Sequence, residues 1–244
     1  MMINYYFRPT TLQEALLLKE ENKNSRFMGG GLTLVNRDEV FVAIDLQLLN
    51  LDKVTVEKIN ALVGATAPLE KIKAHLSNYQ GLKKAITLEA SKNIRNVATI
   101  GGLVKSKNSR SPFLNCLNSI KTIVHLEPGD IREDLNDFMH LPDKSNSLIT
   151  SFEIKLPQEL VFDYVSRSPM DIPIISVAIS EYDDELRLSC GGFKGGPYLF
   201  SVDSSEKIDI DDIIKQIGIK DDEWASSAYK KSSLEKLILR NIAE

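Results

Sequence analysis

A chain of 244 residues, 43% hydrophobic and 26% charged, is long enough for one large or two modest domains with real cores, and its composition excludes intrinsic disorder. Its formal net charge of −4 gives no general attraction for nucleic acid, and no apolar run approaches the ~20 residues that span a bilayer. The N-terminus, with Asn4 and Arg8 among Tyr5, Tyr6 and Phe7, lacks the apolar core of a secretory signal, so a cytoplasmic chain without membrane attachment is expected.

Ile3 to Phe7 reads as a short strand closed by Arg8-Pro9. Thr11 and Glu14 have capping-box spacing, which predicts a helix with Leu12, Ala15, Leu16 and Leu18 inward until the polar run Glu20 to Asn24 ends it. Ser25 to Met28 and the apolar Val40 to Leu46 are the next strands, followed by short strands at Val54 to Val56 and Ala61 to Gly64. Pro68 stands at a helix start before Leu69, Ile72 and Leu76, and a second helix runs from about Tyr79 to Ala90. Ser111-Pro112 is an N-cap and first-position pair for a helix carrying Phe113, Cys116, Leu117 and Ile120. Strands are expected at Thr122 to Leu126, Asp130 to Arg132 and Leu148 to Leu156, with a polar loop from Pro142 to Ser147. Past Pro157 come strands at Phe162 to Ser166, Ile174 to Tyr182 and Glu185 to Cys190, a glycine-rich turn from Gly191 to Pro197, and helices at Ile208 to Ile217 and Ser226 to Asn241.

Gly29-Gly30-Gly31 follows a strand, and Ala98-Thr99-Ile100-Gly101-Gly102 centres the stretch from Ala90 to Pro112, which reads as a loop. Adjacent glycines let the backbone take positive φ and approach a ligand with no Cβ in the way. Together the two loops predict a cradle for both ends of a dinucleotide pyrophosphate, held through backbone N–H groups. Each loop singly is also an ordinary tight turn. Arg26 and Arg95, one at each loop, are placed to offset phosphate charge, the alternative being solvated surface arginines. Cys116 and Cys190 lack CxxC spacing and read as small core residues, and His75, His125 and His140 are scattered singly, so no metal site and no catalytic side-chain grouping is expected. Any chemistry belongs to a cofactor.

The combination Arg8-Pro9 with Glu14-Ala15, Gly29-Gly30-Gly31 after a strand, Gly64-Ala65, and above all Ile94-Arg95-Asn96-Val97-Ala98-Thr99-Ile100-Gly101-Gly102 resembles the FAD-binding subunit of molybdenum hydroxylases. That family covers the medium subunit of carbon monoxide dehydrogenase and the flavin subunit or domain of xanthine dehydrogenase. Arg167, Asp171-Ile172 and Ser176-Val177-Ala178 resemble the start of the family's C-terminal domain, and Ser227 to Lys231 its last-helix motif. The resemblance implies an α+β chain: a PCMH-type two-subdomain FAD-binding fold over 1–157, then a small three-stranded α+β domain like the carbon monoxide dehydrogenase flavoprotein C-terminal domain over 158–244.

It also implies an electron-transfer role. The flavin takes electrons from iron–sulfur clusters on a partner subunit, commonly passing them to NAD, after a molybdenum-cofactor subunit has hydroxylated the substrate. Carried over residue by residue, one FAD loop is Arg26, Phe27, Met28, Gly29, Gly30, Gly31, Leu32, Thr33 and Leu34. The other is Ala98, Thr99, Gly101 and Gly102, continuing through Leu103 and Lys105 to Ser111, with Ala90 lining the same pocket. With no His or Cys in these loops, FAD is expected to be bound non-covalently. The family usually has Thr where this chain has Leu32 and Asn where it has Leu103, Pro112 replaces a polar residue, and Lys105, Lys107 and Arg110 make the second loop basic. Two other readings are a scaffold subunit with weak or no FAD binding, and a stand-alone flavin reductase of the same superfold, such as a UDP-N-acetylenolpyruvoylglucosamine reductase.

Overall fold

The computed structural model describes residues 2–32, 40–140, 147–169, 171–203 and 208–242. They form two compact units: Met1–His75 with Lys92–Lys107 and Thr122–Lys155, and Leu76–Ser91 with Asn108–Lys121 and Leu156–Glu244. Among the described residues no helix is long and apolar enough to cross a membrane.

In the first unit, β1 (Met2–Phe7) leads to α1 (Leu12–Glu21), whose predicted cap forms. The Thr11 hydroxyl accepts from the Glu14 N–H at 3.2 Å, while the Glu14 carboxylate takes the Thr10 N–H at 2.8 Å. β2 (Ser25–Met28) and β3 (Val40–Asp45) follow, and the strand order is β1-β3-β2 with both outer strands parallel to β3. A central parallel strand is covered on both faces, which is why β3 is an unbroken apolar run with Phe41 to Asp45 all buried.

The hairpin β4 (Val54–Glu57) and β5 (Asn60–Gly64) precedes α2 (Leu69–His75). The second unit then takes α3 (Gln80–Glu89), and the first resumes with α4 (Lys92–Arg95) and α5 (Ile100–Ser106). These last two helices correct the expectation of a loop from Ala90 to Pro112. Thr99 caps α5 by accepting from the Gly102 N–H at 3.2 Å, and Gly101 and Gly102 are helical, without positive φ. After α6 (Pro112–Ser119), the chain adds β6 (Lys121–Glu127), β7 (Ile131–Asp134), the unexpected α7 (Leu135–His140) and β8 (Leu148–Lys155), completing a sheet of order β4-β5-β8-β6-β7. The loop expected at Pro142 to Ser147 lies outside the described residues except for Ser147.

The second unit is built on the antiparallel sheet β12-β11-β10-β9, formed by β9 (Glu159–Val165), β10 (Ile175–Glu181), β11 (Glu185–Gly191) and β12 (Tyr198–Asp203), with α8 (Ile210–Ile217) and α9 (Ser227–Ile242) after it. The expected three-stranded C-terminal sheet is therefore four-stranded. β12, whose sequence YLFSVD begins apolar, is the edge strand, and its residues are half-buried or exposed. β10 alternates with period two. Ile175, Val177 and Ile179 join Ile213, Ile217, Leu234, Leu237 and Ile238 in an apolar core. Its even residues face α6 instead: Asn115 Nδ2 donates to the Ser176 hydroxyl at 2.9 Å, and the Ser119 and Ser180 hydroxyls lie 2.8 Å apart. Cys116 and Cys190 are buried free thiols, and burial pushes both thiols up from their ordinary value.

Candidate functional site

The two glycine segments meet inside the first unit. Residues 64–69 zip along 98–101: Leu69 N–H donates to Ala98 O at 2.9 Å, Ile100 N–H to Ala67 O at 3.1 Å, and Gly101 N–H to Ala65 O at 2.9 Å. A Cβ on Gly101 would lie 2.8 Å from that Ala65 oxygen. The glycine therefore serves close packing rather than an unusual dihedral. With Gly102 N–H bound to the Thr99 hydroxyl at 3.2 Å and Leu103 N–H to Thr99 O at 3.0 Å, the first turn of α5 has its donors committed within the protein.

The first glycine segment is the opposite case. Among the described residues, no hydrogen bond is made by the N–H groups of Gly29, Gly30, Gly31 or Leu32, and Gly31 has φ +75°. These donors border a cleft of about 540 Å³, within the about 300–1,000 Å³ typical of ligand pockets. The expected sharing of a cradle between two loops thus resolves into unequal roles: the second loop is a packed wall, and the first presents its backbone.

Arg26 through Leu32 line this cleft, together with Ala98, Thr99, Gly101, Gly102, Leu103 and Lys105. Thr33 and Leu34 lie outside the described residues. Ala90 and Ser111 do not line it and belong to the second unit, where Ser111 caps α6, accepting from Leu114 N–H at 3.0 Å and donating to Glu89 at 2.6 Å. Arg95 is likewise absent from the lining: it is 6% exposed, with its Nε 2.7 Å from the Glu70 carboxylate. Arg110, in the second unit, stacks 3.7 Å over the Trp224 ring and donates to the Pro173 carbonyl. Of the basic residues expected at the second loop, Lys105 lines the cleft.

Lys19, Lys23 and Ser25, which sequence reasoning missed, line the cleft on the side where α1 ends and β2 begins. Lys19, Lys23, Arg26 and Lys105 give the wall positive charge, and no aspartate or glutamate is among the described residues that line it. Ser25 is 3% exposed and its hydroxyl meets no hydrogen-bond partner among the described residues, while Lys19 donates to the Ser25 carbonyl at 2.6 Å. Leu46, Leu148 and Ile149 add apolar surface. Backbone donors without a partner among the described residues, several cations and an apolar wall are what an anionic dinucleotide with an aromatic ring needs. Among the described residues there is no group of three or more metal-ligating side chains.

A family model described as the FAD binding domain in molybdopterin dehydrogenase matches residues 1–158. The chain is similar to Uncharacterized protein YgfM of Escherichia coli (strain K12), 26% identical over 197 residues, covering 78% of this chain and 75% of that protein. It is also similar to the glyceraldehyde dehydrogenase medium chain of Sulfolobus acidocaldarius, 24% identical over 98% of this chain and 97% of that one. Among solved structures, carbon monoxide dehydrogenase from Hydrogenophaga pseudoflava shares the fold, with a TM-score of 0.81 at 15% identity, covering 97% of this chain and 94% of that one. The chain therefore belongs to the family of FAD binding domains of molybdopterin dehydrogenases, and its cofactor is FAD.

Proposed function

We propose that this chain is the electron-transferring FAD subunit of a molybdenum hydroxylase, an oxidoreductase in which one partner subunit carries iron–sulfur clusters and another the molybdenum cofactor. Electrons arrive from the iron–sulfur partner and leave to NAD or another acceptor. The observation that carries the reading is the cleft of the first unit, where the N–H groups of Gly29 to Leu32 and the cations Lys19, Lys23, Arg26 and Lys105 border one space. Those donors and cations would hold the pyrophosphate of bound FAD, and Leu46, Leu148 and Ile149 would shield apolar ring surface from water. Bound FAD supplies the redox chemistry, exchanging electrons one or two at a time. The medium-chain relative, named as one chain of a dehydrogenase, supports a subunit rather than a complete enzyme.

Co-purification from the native source tests this. The expected result is a yellow complex with two further polypeptides, one containing iron and one molybdenum, that releases FAD from this chain on heating. A protein that purifies alone and oxidises an organic substrate unaided overturns the subunit reading in favour of a stand-alone flavoenzyme.

A further inference from the structure

Ligands of open parallel sheets bind outside the carboxyl ends of the strands, and a polar cluster sits at those ends of β1 and β3. Asp45, the last residue of β3, is 4% exposed. Its carboxylate accepts from the Tyr6 hydroxyl and, at 2.9 Å, from the Gln47 N–H, with the Arg8 guanidinium 3.5 Å away. Arg8 donates in turn to Gln47 Oε1 at 2.7 Å. A carboxylate taken out of water is costly unless several donors meet it. An apolar residue would end a buried strand with less penalty, so the cluster's use lies in the direction it imposes on the chain.

That direction leads to the cleft. Asp45 stands opposite Met28 in the β2–β3 register, and the next residue, Leu46, donates its N–H to the Met28 carbonyl at 3.0 Å and lines the cleft. Met28 is the last residue before the N–H groups of Gly29 to Leu32, which have no hydrogen-bond partner among the described residues. We infer that Asp45, held by Tyr6 and Arg8, is the positioning residue of the first glycine loop. By fixing Gln47 and Leu46 it fixes the Met28 carbonyl where the loop departs, and so aims the loop's donors at the pyrophosphate. The inference rests on the FAD reading above. The hydrogen bond to Asp45, with burial second, also raises the Tyr6 phenol above its ordinary value.

The test is titration of FAD into the purified chain, followed by flavin fluorescence with ADP as competitor, for Tyr6→Phe, Asp45→Asn and the double variant. Each single change is expected to weaken FAD about tenfold. The double variant is expected to lose no more than the worse single one, because the two groups act as a unit. ADP, which presents the same pyrophosphate, loses the same factor. Tyr6→Phe, at a half-exposed side chain, keeps its melting temperature within about 4 °C, so its lost affinity is not lost fold. FAD and ADP dissociation constants within twofold of the unsubstituted chain in both single variants overturn the inference alone. An unsubstituted chain that binds no FAD overturns the parent reading and this inference with it.

Discussion

A Cβ built on Gly30 would lie 1.8 Å from the carbonyl oxygen of Val97, so the two glycine segments are locked backbone to backbone at this point. A side chain there requires the main chain itself to move, unlike at Gly102, where the Cβ would meet only the Thr99 hydroxyl at 3.0 Å. Gly30→Ala is expected to cost about 1–3 kcal/mol as an overpacking change, lowering the melting temperature by about 2–4 °C for each kcal/mol, and to lose FAD as well. Gly102→Ala should cost clearly less. Equal melting temperatures for the two variants, measured by circular dichroism, would remove the backbone lock.

Lys19, Lys23, Arg26 and Lys105 line one cleft on a chain whose net charge is −4. Ligand affinity there should depend on salt, because exposed charges are screened over about 8–10 Å at 0.10–0.15 M ionic strength. Raising sodium chloride from 50 to 500 mM is expected to weaken FAD roughly tenfold. Lys105→Gln is expected to weaken it at low salt and to flatten the salt dependence. A dissociation constant that does not move with salt would place the cations outside the binding energy.

Much of this fold was legible because local signals agreed with tertiary burial: Thr11 and Glu14 cap α1, Ser111-Pro112 opens α6, and the run Val40 to Leu46 contains the buried β3. The stretch around Gly101-Gly102 was misread because paired glycines signal a turn, whereas here small size is needed against Ala65 and Thr99 and the dihedrals are helical. α7 is only Leu135–His140, too short for a periodic pattern, and begins where the Asp134 carboxylate accepts the Asn136 N–H at 2.8 Å. The site itself was half legible. Lys19 and Lys23 join it because α1 ends beside β2, a relation no local spacing carries. Arg95 looked like a phosphate ligand because its partner, Glu70, is distant in sequence. The exchanges of chain between units near residues 76, 92, 108 and 122 leave no change in composition to find.

Leu32 and Leu103 both line the cleft, at the positions where the family resemblance implies Thr and Asn. Leu32 is 36% exposed, so a polar replacement there carries little packing penalty. Leu32→Thr and Leu103→Asn are each expected to tighten FAD by about 0.5–1.5 kcal/mol, the net worth of one hydrogen bond, or about 2- to 12-fold. Fluorescence titration reads this directly. Unchanged affinity in both variants would mean that backbone donors and cations already account for the binding.

Arg95 and Glu70 join α4 to α2 just ahead of the second glycine segment, with Nε and Oε2 2.7 Å apart. The hydrogen bond from Arg95, ahead of burial, which opposes it, and of the charges of Arg95, Lys73 and Lys92, holds the Glu70 carboxyl below its ordinary value. A carboxyl with a lower folded than unfolded pKa binds more protons when unfolded, so stability rises with pH across that interval. Its contribution is complete above the unfolded value of about 4.3 and is lost as pH falls through the lower folded value. Arg95→Gln should therefore do two things. It should lower stability at pH 7 by about 1.5–3 kcal/mol, the worth of a hydrogen bond to a charged group, and it should make stability fall less steeply on acidification below about pH 4.3. Urea unfolding at pH 7 and at pH 3.5 measures both effects. Equal losses of stability at the two pH values would show that Arg95 acts through packing alone and that its charge does not set the Glu70 proton.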